Sequence, residues 1–272
     1  MAEAQVFTIN GTNVDVADAT ARSFLSNAAC KNGLFCGKHH GTFTPSTIAQ
    51  FLTDHKVSSG VFEDLFLGDT FTMSGANYNK TYVIVGFDPY WQIGDTACNE
   101  HHIGIMPVGG FGNYVMNDTN TCEGGVAGSK MMTTTIPDFE TKLTSDFNNR
   151  LVTARCLMSN AYSGSVPSGV GAGNNGASTG WAWISRKVIL PSEVQIYGSR
   201  VASSSVYDIG EGYEKLPAFN FKSPAALLGR IAFWLRAVAC AGNFAFSGNA
   251  GGARWNNASD PWISLCPLIL LK

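Results

Sequence analysis

Charge is scarce in this chain: Asp, Glu, Lys and Arg make up only 14% of its 272 residues, and the net charge is -2. No basic stripe appears anywhere, which excludes a binder that works by neutralising phosphates, so nucleic acid is not an expected partner. Long apolar runs are missing as well. The closing ISLCPLILL at 263–271 is too short for a bilayer and contains Ser264, Cys266 and Pro267. The opening MAEAQVFTIN has neither the basic start nor the apolar run of a secretory signal, so a soluble protein without membrane insertion is expected. The seven cysteines (Cys30, Cys36, Cys98, Cys122, Cys156, Cys240 and Cys266) are odd in number, widely spaced and without a CxxC pair. That pattern predicts reduced, mostly buried thiols and suits synthesis in a bacterial-type cytoplasm.

Signatures of catalysis are equally sparse. There is no GxSxG, HExxH, Walker or dinucleotide motif. The loop carboxylates Asp88, Asp95 and Glu123 read equally well as turn or capping residues. No catalytic residue is therefore assigned, and the chain is read as a non-enzyme. The histidines fall as His39 and His40, His55, and His101 and His102, the last pair beside Cys98 and Glu100. Neighbours on a strand point to opposite faces, and the spacings of a zinc site are absent. No acidic cluster stands near Trp255 to hold calcium. Neither a metal nor a cofactor is expected.

What the chain does have is apolar mass: 45% hydrophobic and 11% aromatic residues, enough for a large core. Two parts separate. Residues 1–57 are weakly apolar and hold one helix, with Thr44 as N-cap, Pro45 at the first helical position, and Ile48, Phe51 and Leu52 on one face. This part reads as an attachment or oligomerisation module. Residues 58–272 mix short β runs, glycine turns and a few short helices, an α+β pattern. Within it YVIVGF at 82–87 and HIGIMPV at 102–108 predict buried strands. A helix over 137–148 places Phe139, Leu143 and Phe147 on one stripe. The Gly, Ser and Asn-rich residues 163–180 predict a long surface loop or disordered insert. Residues 181–190 are strand-like, and PSEVQIYG at 191–198 predicts a short helical turn with Pro at its start and Gly at its stop.

The last forty residues, FWLRAVACAGNFAFSGNAGGARWNNASDPWISLCPLILLK, enclose a small, polar and aromatic stretch between two apolar flanks. Small residues permit tight turns and isolated aromatics give contact area at low entropic cost, the mixture of binding loops. The same composition also fits a turn-rich stretch whose aromatics fill the core.

Several segments together resemble a known group of proteins. They are HHIGIMP at 101–107, MNDTNTCEGGVAGSKM at 116–131, LVTARCLMSNA at 151–161, VILPSEVQIYGS at 188–199, FWLRAVACAGNFAF at 233–246 and ARWNNASDPWISLCP at 253–267. In order and spacing these look like the variable target proteins of diversity-generating retroelements in prophages of Gram-positive gut bacteria. The resemblance implies a C-type-lectin-like domain over 58–272, of the formylglycine-generating-enzyme-like subtype, with a variable region at 237–262. The contact residues it implies are Ala237, Cys240, Gly242, Phe246, Gly248, Arg254, Trp255, Asp260 and Trp262. Trp234, Leu235 and Arg236 before the region, and residues 265–270 after it, would form a fixed frame. Asn243, Asn249, Asn256 and Asn257 would be unmutated or fixed survivors of template codons.

The chain departs from the group's pattern where Cys266 precedes Pro267, a place the group usually gives to Arg. Trp255 and Trp262 do not follow from an Asn codon by changing adenines alone, so they are fixed residues or come from another codon. The implied function is receptor binding at a phage tail tip. Expected partners are a host bacterial surface protein or glycan and other tail proteins, with a homotrimer as the assembly and the virion as the location. DVADATARSF at 15–24 would suit docking to the particle. The rival readings are a structural virion or tail protein without diversification, and a relative of the formylglycine-generating oxidases, for which Cys240 and Cys266 are the only candidate thiols.

Overall fold

The apolar runs read as strands meet in one six-stranded mixed sheet. The computed structural model describes residues 6–9, 12–15, 34–163, 177–203, 215–240 and 242–272. In chain order, β1 (Val6–Ile9) and β2 (Thr12–Asp15) pair as a two-stranded hairpin, followed by β3 (His39–Phe43), α1 (Ile48–Asp54) and a 3-10 turn (Val57–Ser59). Then come β4 (Thr70–Ser74), β5 (Asn79–Phe87), β6 (Ile103–Pro107), a π turn (Met131–Thr135) and α2 (Ile136–Asp146). β7 (Ala154–Ser163) and β8 (Ala177–Arg186) form a second ribbon before β9 (Val188–Ile189), α3 (Glu193–Tyr197), α4 (Ala218–Phe221) and α5 (Pro224–Leu228). The chain closes with β10 (Phe233–Cys240), β11 (Asn243–Ser247), β12 (Ala253–Asn257) and β13 (Leu268–Leu271).

The main sheet has the order β3-β4-β5-β6-β13-β9, parallel only between β3 and β4. β6 and β13 are buried along their whole length, which explains their continuous apolar sequence in place of an alternating one. The helix stripe is also where expected: Phe139, Leu143 and Phe147 are buried. At the end of α2 the buried Asp146 accepts N–H bonds from Asn77 and Tyr78, at 3.1 and 2.9 Å, and so ties the helix to the β4–β5 turn.

Three expectations need correcting. A module boundary at residue 57 would cut the sheet, because β3 pairs with β4 and Ile48, Phe51 and Leu52 of α1 belong to the common core. Among the described residues of 1–57 only the β1–β2 hairpin stands outside the main sheet as a sheet of its own, and most of the segment 15–24 lies outside the described residues. Second, α1 begins at Ile48 and not at Pro45. The Thr44 carbonyl accepts the Thr47 and Ile48 N–H groups, so a tight turn precedes the helix. Third, residues 163 and 177–180 are strand residues of β7 and β8, while 164–176 lie outside the described residues.

Within residues 191–198 the helix α3 runs over Glu193–Tyr197, with its N-cap at Ser192. The Ser192 hydroxyl accepts the Gln195 N–H at 3.2 Å and the Gln195 side chain accepts the Ser192 N–H at 3.0 Å. This reciprocal cap lets a helix of barely more than one turn persist, and Gly198 ends it in the left-handed region. Among the described residues no helix is long and apolar enough to cross a membrane.

Candidate binding site at the outer sheet

β10, β11 and β12 form a separate three-stranded antiparallel sheet. It is joined to the main body by a bridge between Phe233 and Ser264 and by the Arg236 N–H, which donates to the Pro191 carbonyl at 2.9 Å. β10 is buried on both faces, with Trp234 near its start donating from Nε1 to the Tyr114 carbonyl at 2.6 Å. Burial falls away across the sheet, and β12 is its half-exposed outer strand.

Outside this strand lies a cavity of about 790 Å³. Residues 253–256 of β12 form one side and Val201 and Ala202 another. Phe246, Gly248 and Asn249 come from β11 and the turn after it, and Trp262 completes the lining. The turn between β11 and β12 is closed by the Gly248 N–H donating to the Gly252 carbonyl and the Gly251 N–H to the Gly248 carbonyl. Gly251 sits at φ +86°, where a side chain would be strained. A Cβ on Gly248 would come within 3.2 Å of Arg254 Cδ, so Gly248 is the space through which the Arg254 stem passes.

The wall at Val201 and Ala202 is set from within. The buried Glu193 carboxylate on α3 accepts N–H bonds from Val201, Ala202 and Ser203 at 3.4, 2.7 and 3.0 Å, and a hydroxyl bond from Ser203. The chain over 201–203 is thereby wrapped around a fixed anion. Nearby, burial pushes the Tyr197 phenol up to about 12. Arg254 is the one charged residue among those lining the cavity, and it takes part in none of the ion pairs among the described residues.

Of the nine contact residues that the resemblance implies, Phe246, Gly248, Arg254, Trp255 and Trp262 line this cavity. Ala237 and Cys240 do not, because both are buried in β10. Gly242 is also buried. It adopts φ +75° where a Cβ would meet the Asn120 carbonyl at 2.9 Å, so its glycine answers to a close backbone approach. Asp260 is half-buried in the turn after β12, its N–H donating to the Asn257 carbonyl, and lies outside the lining. Among the described residues of 237–262, apart from half-buried Asn243, the exposed part starts at Asn249. The frame residues Trp234, Leu235 and Arg236 and residues 265–270 are all buried.

Sequence reasoning missed Val201, Ala202 and Glu193. Nothing in GSRVAS signals proximity to a strand fifty residues on, and Glu193 reads simply as an acidic first-turn residue. Asn249, Ala253 and Asn256 stood inside the segment without being singled out as contacts.

The remaining candidate side chains are held in local contacts. Cys240 Sγ accepts from Asn243 Nδ2 at 3.1 Å, whereas the buried Cys266 thiol donates to the Pro107 carbonyl at 3.3 Å. Burial raises both thiols, and raises Cys122, which donates to the Cys240 carbonyl, to about 12. His101 binds Asp88 at 2.7 Å and stacks on Trp91, while His102 turns inward to the Glu100 carbonyl and the Tyr90 N–H. Asp95 forms a two-pronged pair with Arg155, both contacts at 2.7 Å. Among the described residues no three His, Cys, Asp or Glu side chains are grouped to hold a metal ion. No protein-family model, curated protein or solved structure matches the chain.

Proposed function

We propose that this chain is a receptor-binding protein of a phage tail tip, on a C-type-lectin-like scaffold, and that the cavity beside β12 is its ligand site. One observation carries the reading. Five large apolar side chains stand exposed among the described residues, and three of them, Val201, Trp255 and Trp262, line this cavity together with Arg254, which forms no ion pair among the described residues. Exposed aromatics clustered with arginine are the composition of binding hot spots, and solvent-facing apolar groups are retained where a partner covers them.

The organisation suits a surface that tolerates sequence change. The cavity-lining residues on β12 and the turn before it can vary because the fold is held by β10, β13 and the main sheet behind them. The buried thiols, each engaged as a structural donor or acceptor, favour binding over oxidase chemistry. Several copies on a virion, in a trimer by the same resemblance, would add avidity to a weak single site.

Sequencing the gene's 3′ end and its neighbourhood across the lysogenic population tests this reading. Substitutions confined to template adenines at codons within 237–262, beside a reverse-transcriptase gene, are expected. A uniform sequence with no template nearby would return the chain to an undiversified virion protein.

A further inference from the structure

We infer that the ligand this cavity receives is an extended polypeptide segment that pairs with β12 as an added strand, and that the segment carries a carboxylate next to an apolar or aromatic residue. The inference rests on the cavity being the ligand site and goes further by choosing protein over glycan.

The argument starts from the register. β11 and β12 pair antiparallel, with Phe246 opposite Arg254 and Ala245 opposite Trp255. The ladder is bonded at both ends, by the Gly248 N–H to the Gly252 carbonyl and the Ala258 N–H to the Gly242 carbonyl, each at 2.8 Å. Bonded and non-bonded pairs alternate in such a ladder, so Arg254 and Asn256 turn their main chain toward β11. Ala253, Trp255 and Asn257 then turn theirs away from it. The Asn257 groups are consumed locally, by the Asn256 side chain and the Asp260 N–H. The N–H and C=O of Ala253 and Trp255 meet no partner among the described residues.

Among the described residues β12 is an edge strand, and its residues 253–256 line the cavity. Successive side chains of a strand point to opposite faces, yet the cavity touches four in succession, 253 to 256. Phe246, Gly248, Arg254 and Asn256 share one face of the sheet, so the space covers that face and also reaches the edge at Ala253 and Trp255. The edge therefore offers two spaced donors and two acceptors into a walled slot, the requirement for strand addition. A glycan or a compact protein surface does not present main-chain groups at a strand's repeat.

The side chains specify the sequence of the guest. Arg254 supplies a cation with no carboxylate partner among the described residues, on the face it shares with Phe246. Trp255 stands on the opposite face and is 39% exposed. An added strand would place neighbouring residues on those two faces, a carboxylate toward Arg254 and an apolar group toward Trp255.

The experiment is selection of a displayed random-peptide library against the full chain, followed by amide hydrogen exchange of the protein with the recovered peptide made synthetically. Recovered peptides should carry an Asp or Glu adjacent to an apolar residue. The Ala253 and Trp255 amides, fast-exchanging in the free protein, should slow at least about tenfold on binding. Methylating the peptide's backbone nitrogens at one alternate set of positions should abolish binding, and at the other set leave it. Failure to recover any peptide above the background of an Arg254→Ala, Trp255→Ala double variant overturns the inference. So does a peptide that binds without protecting those two amides. Host-cell adsorption by the intact chain, lost in Trp255→Ala, would in either case keep the receptor reading alive and assign it a glycan or a folded surface.

Discussion

Phe246 and Trp262 meet edge to face, their ring centroids 5.4 Å apart and their planes at 90°. Phe246 is 3% exposed and Trp262 49% exposed, so the pair spans the step from the inner sheet to open solvent. Behind Phe246 stands Trp234, centroid to centroid 6.2 Å, completing a row of three rings from core to surface. A ligand resting on Trp262 would thus rest on a ring already backed by packed protein, with little side-chain freedom left to lose on binding.

The buried end of that row and the exposed strand beside the cavity predict opposite mutant behaviour. Trp234→Ala empties a buried site and removes the bond to Tyr114, and should destabilise the fold by about 3–5 kcal/mol. Trp255→Ala and Arg254→Ala, on the exposed strand, should change stability by less than about 1 kcal/mol. Their binding should weaken by about 2 kcal/mol or more, roughly 30-fold. Urea denaturation beside host-cell adsorption separates the two effects. If Trp255→Ala unfolds the chain, that ring belongs to the core and the site is misplaced.

Glu193 gives a prediction at a distance from the ligand. Its carboxylate collects the N–H groups of Val201, Ala202 and Ser203, and Glu193→Ala would leave the buried Ala202 and Ser203 groups unpaired at a cost of about 2–4 kcal/mol. The wall at 201–202 should loosen, so adsorption should fall even at temperatures where the variant is folded. Glu193→Gln keeps the size but presents an amide N–H₂ to N–H donors, and should fall between the two. Full adsorption by a folded Glu193→Ala protein would remove Val201 and Ala202 from the site.

How much of this was legible in the sequence follows from which forces are local. The stripe Phe139, Leu143 and Phe147 and the runs at 82–87 and 102–108 were readable because periodicity and continuous burial leave a direct trace in apolar spacing. Ala237 and Cys240 were misplaced for the same reason in reverse. A strand buried on both faces by small residues has the composition of an exposed loop. The cavity's far wall could not be read at all, since Glu193 reaches 201–203 through main-chain N–H groups, which every residue but proline possesses. The parallel β3–β4 pairing, likewise, carries no signal in the residues of 34–57 that would attach them to the main sheet.

Thiol reactivity should divide sharply. Cys36 is exposed, whereas Cys98, Cys122, Cys156, Cys240 and Cys266 are buried. Burial raises Cys98, Cys122, Cys240 and Cys266, which keeps their reactive thiolate forms scarce. Brief treatment of the native protein with an alkylating reagent, followed by peptide mass mapping, should find label at Cys36 and none at those five. Unfolding in denaturant should expose them all. Native labelling at Cys240 would mean that the end of β10 opens, and would reinstate it as a surface position.

Acid sensitivity should trace to His102. Its Nδ1 donates to the Glu100 carbonyl at 2.6 Å and its Nε2 accepts the Tyr90 N–H at 3.2 Å, an arrangement that only the neutral ring can satisfy. Burial, partly opposed by Asp88, pushes its pKa down to about 4. In the unfolded chain the ring takes its proton near pH 6.5, so between about pH 6.5 and 4 the unfolded state binds more protons than the folded one. Stability from this group is therefore complete above that window, falls as pH drops through it, and is lost by roughly 3 kcal/mol at its foot. Urea denaturation at successive pH values should show the slope in the native chain and a shallower one in His102→Gln. Should that variant fold poorly, an NMR titration of the His102 ring in the native protein decides the matter. A ring that protonates near neutrality while the fold persists would mean that the Tyr90 N–H bond does not hold it neutral.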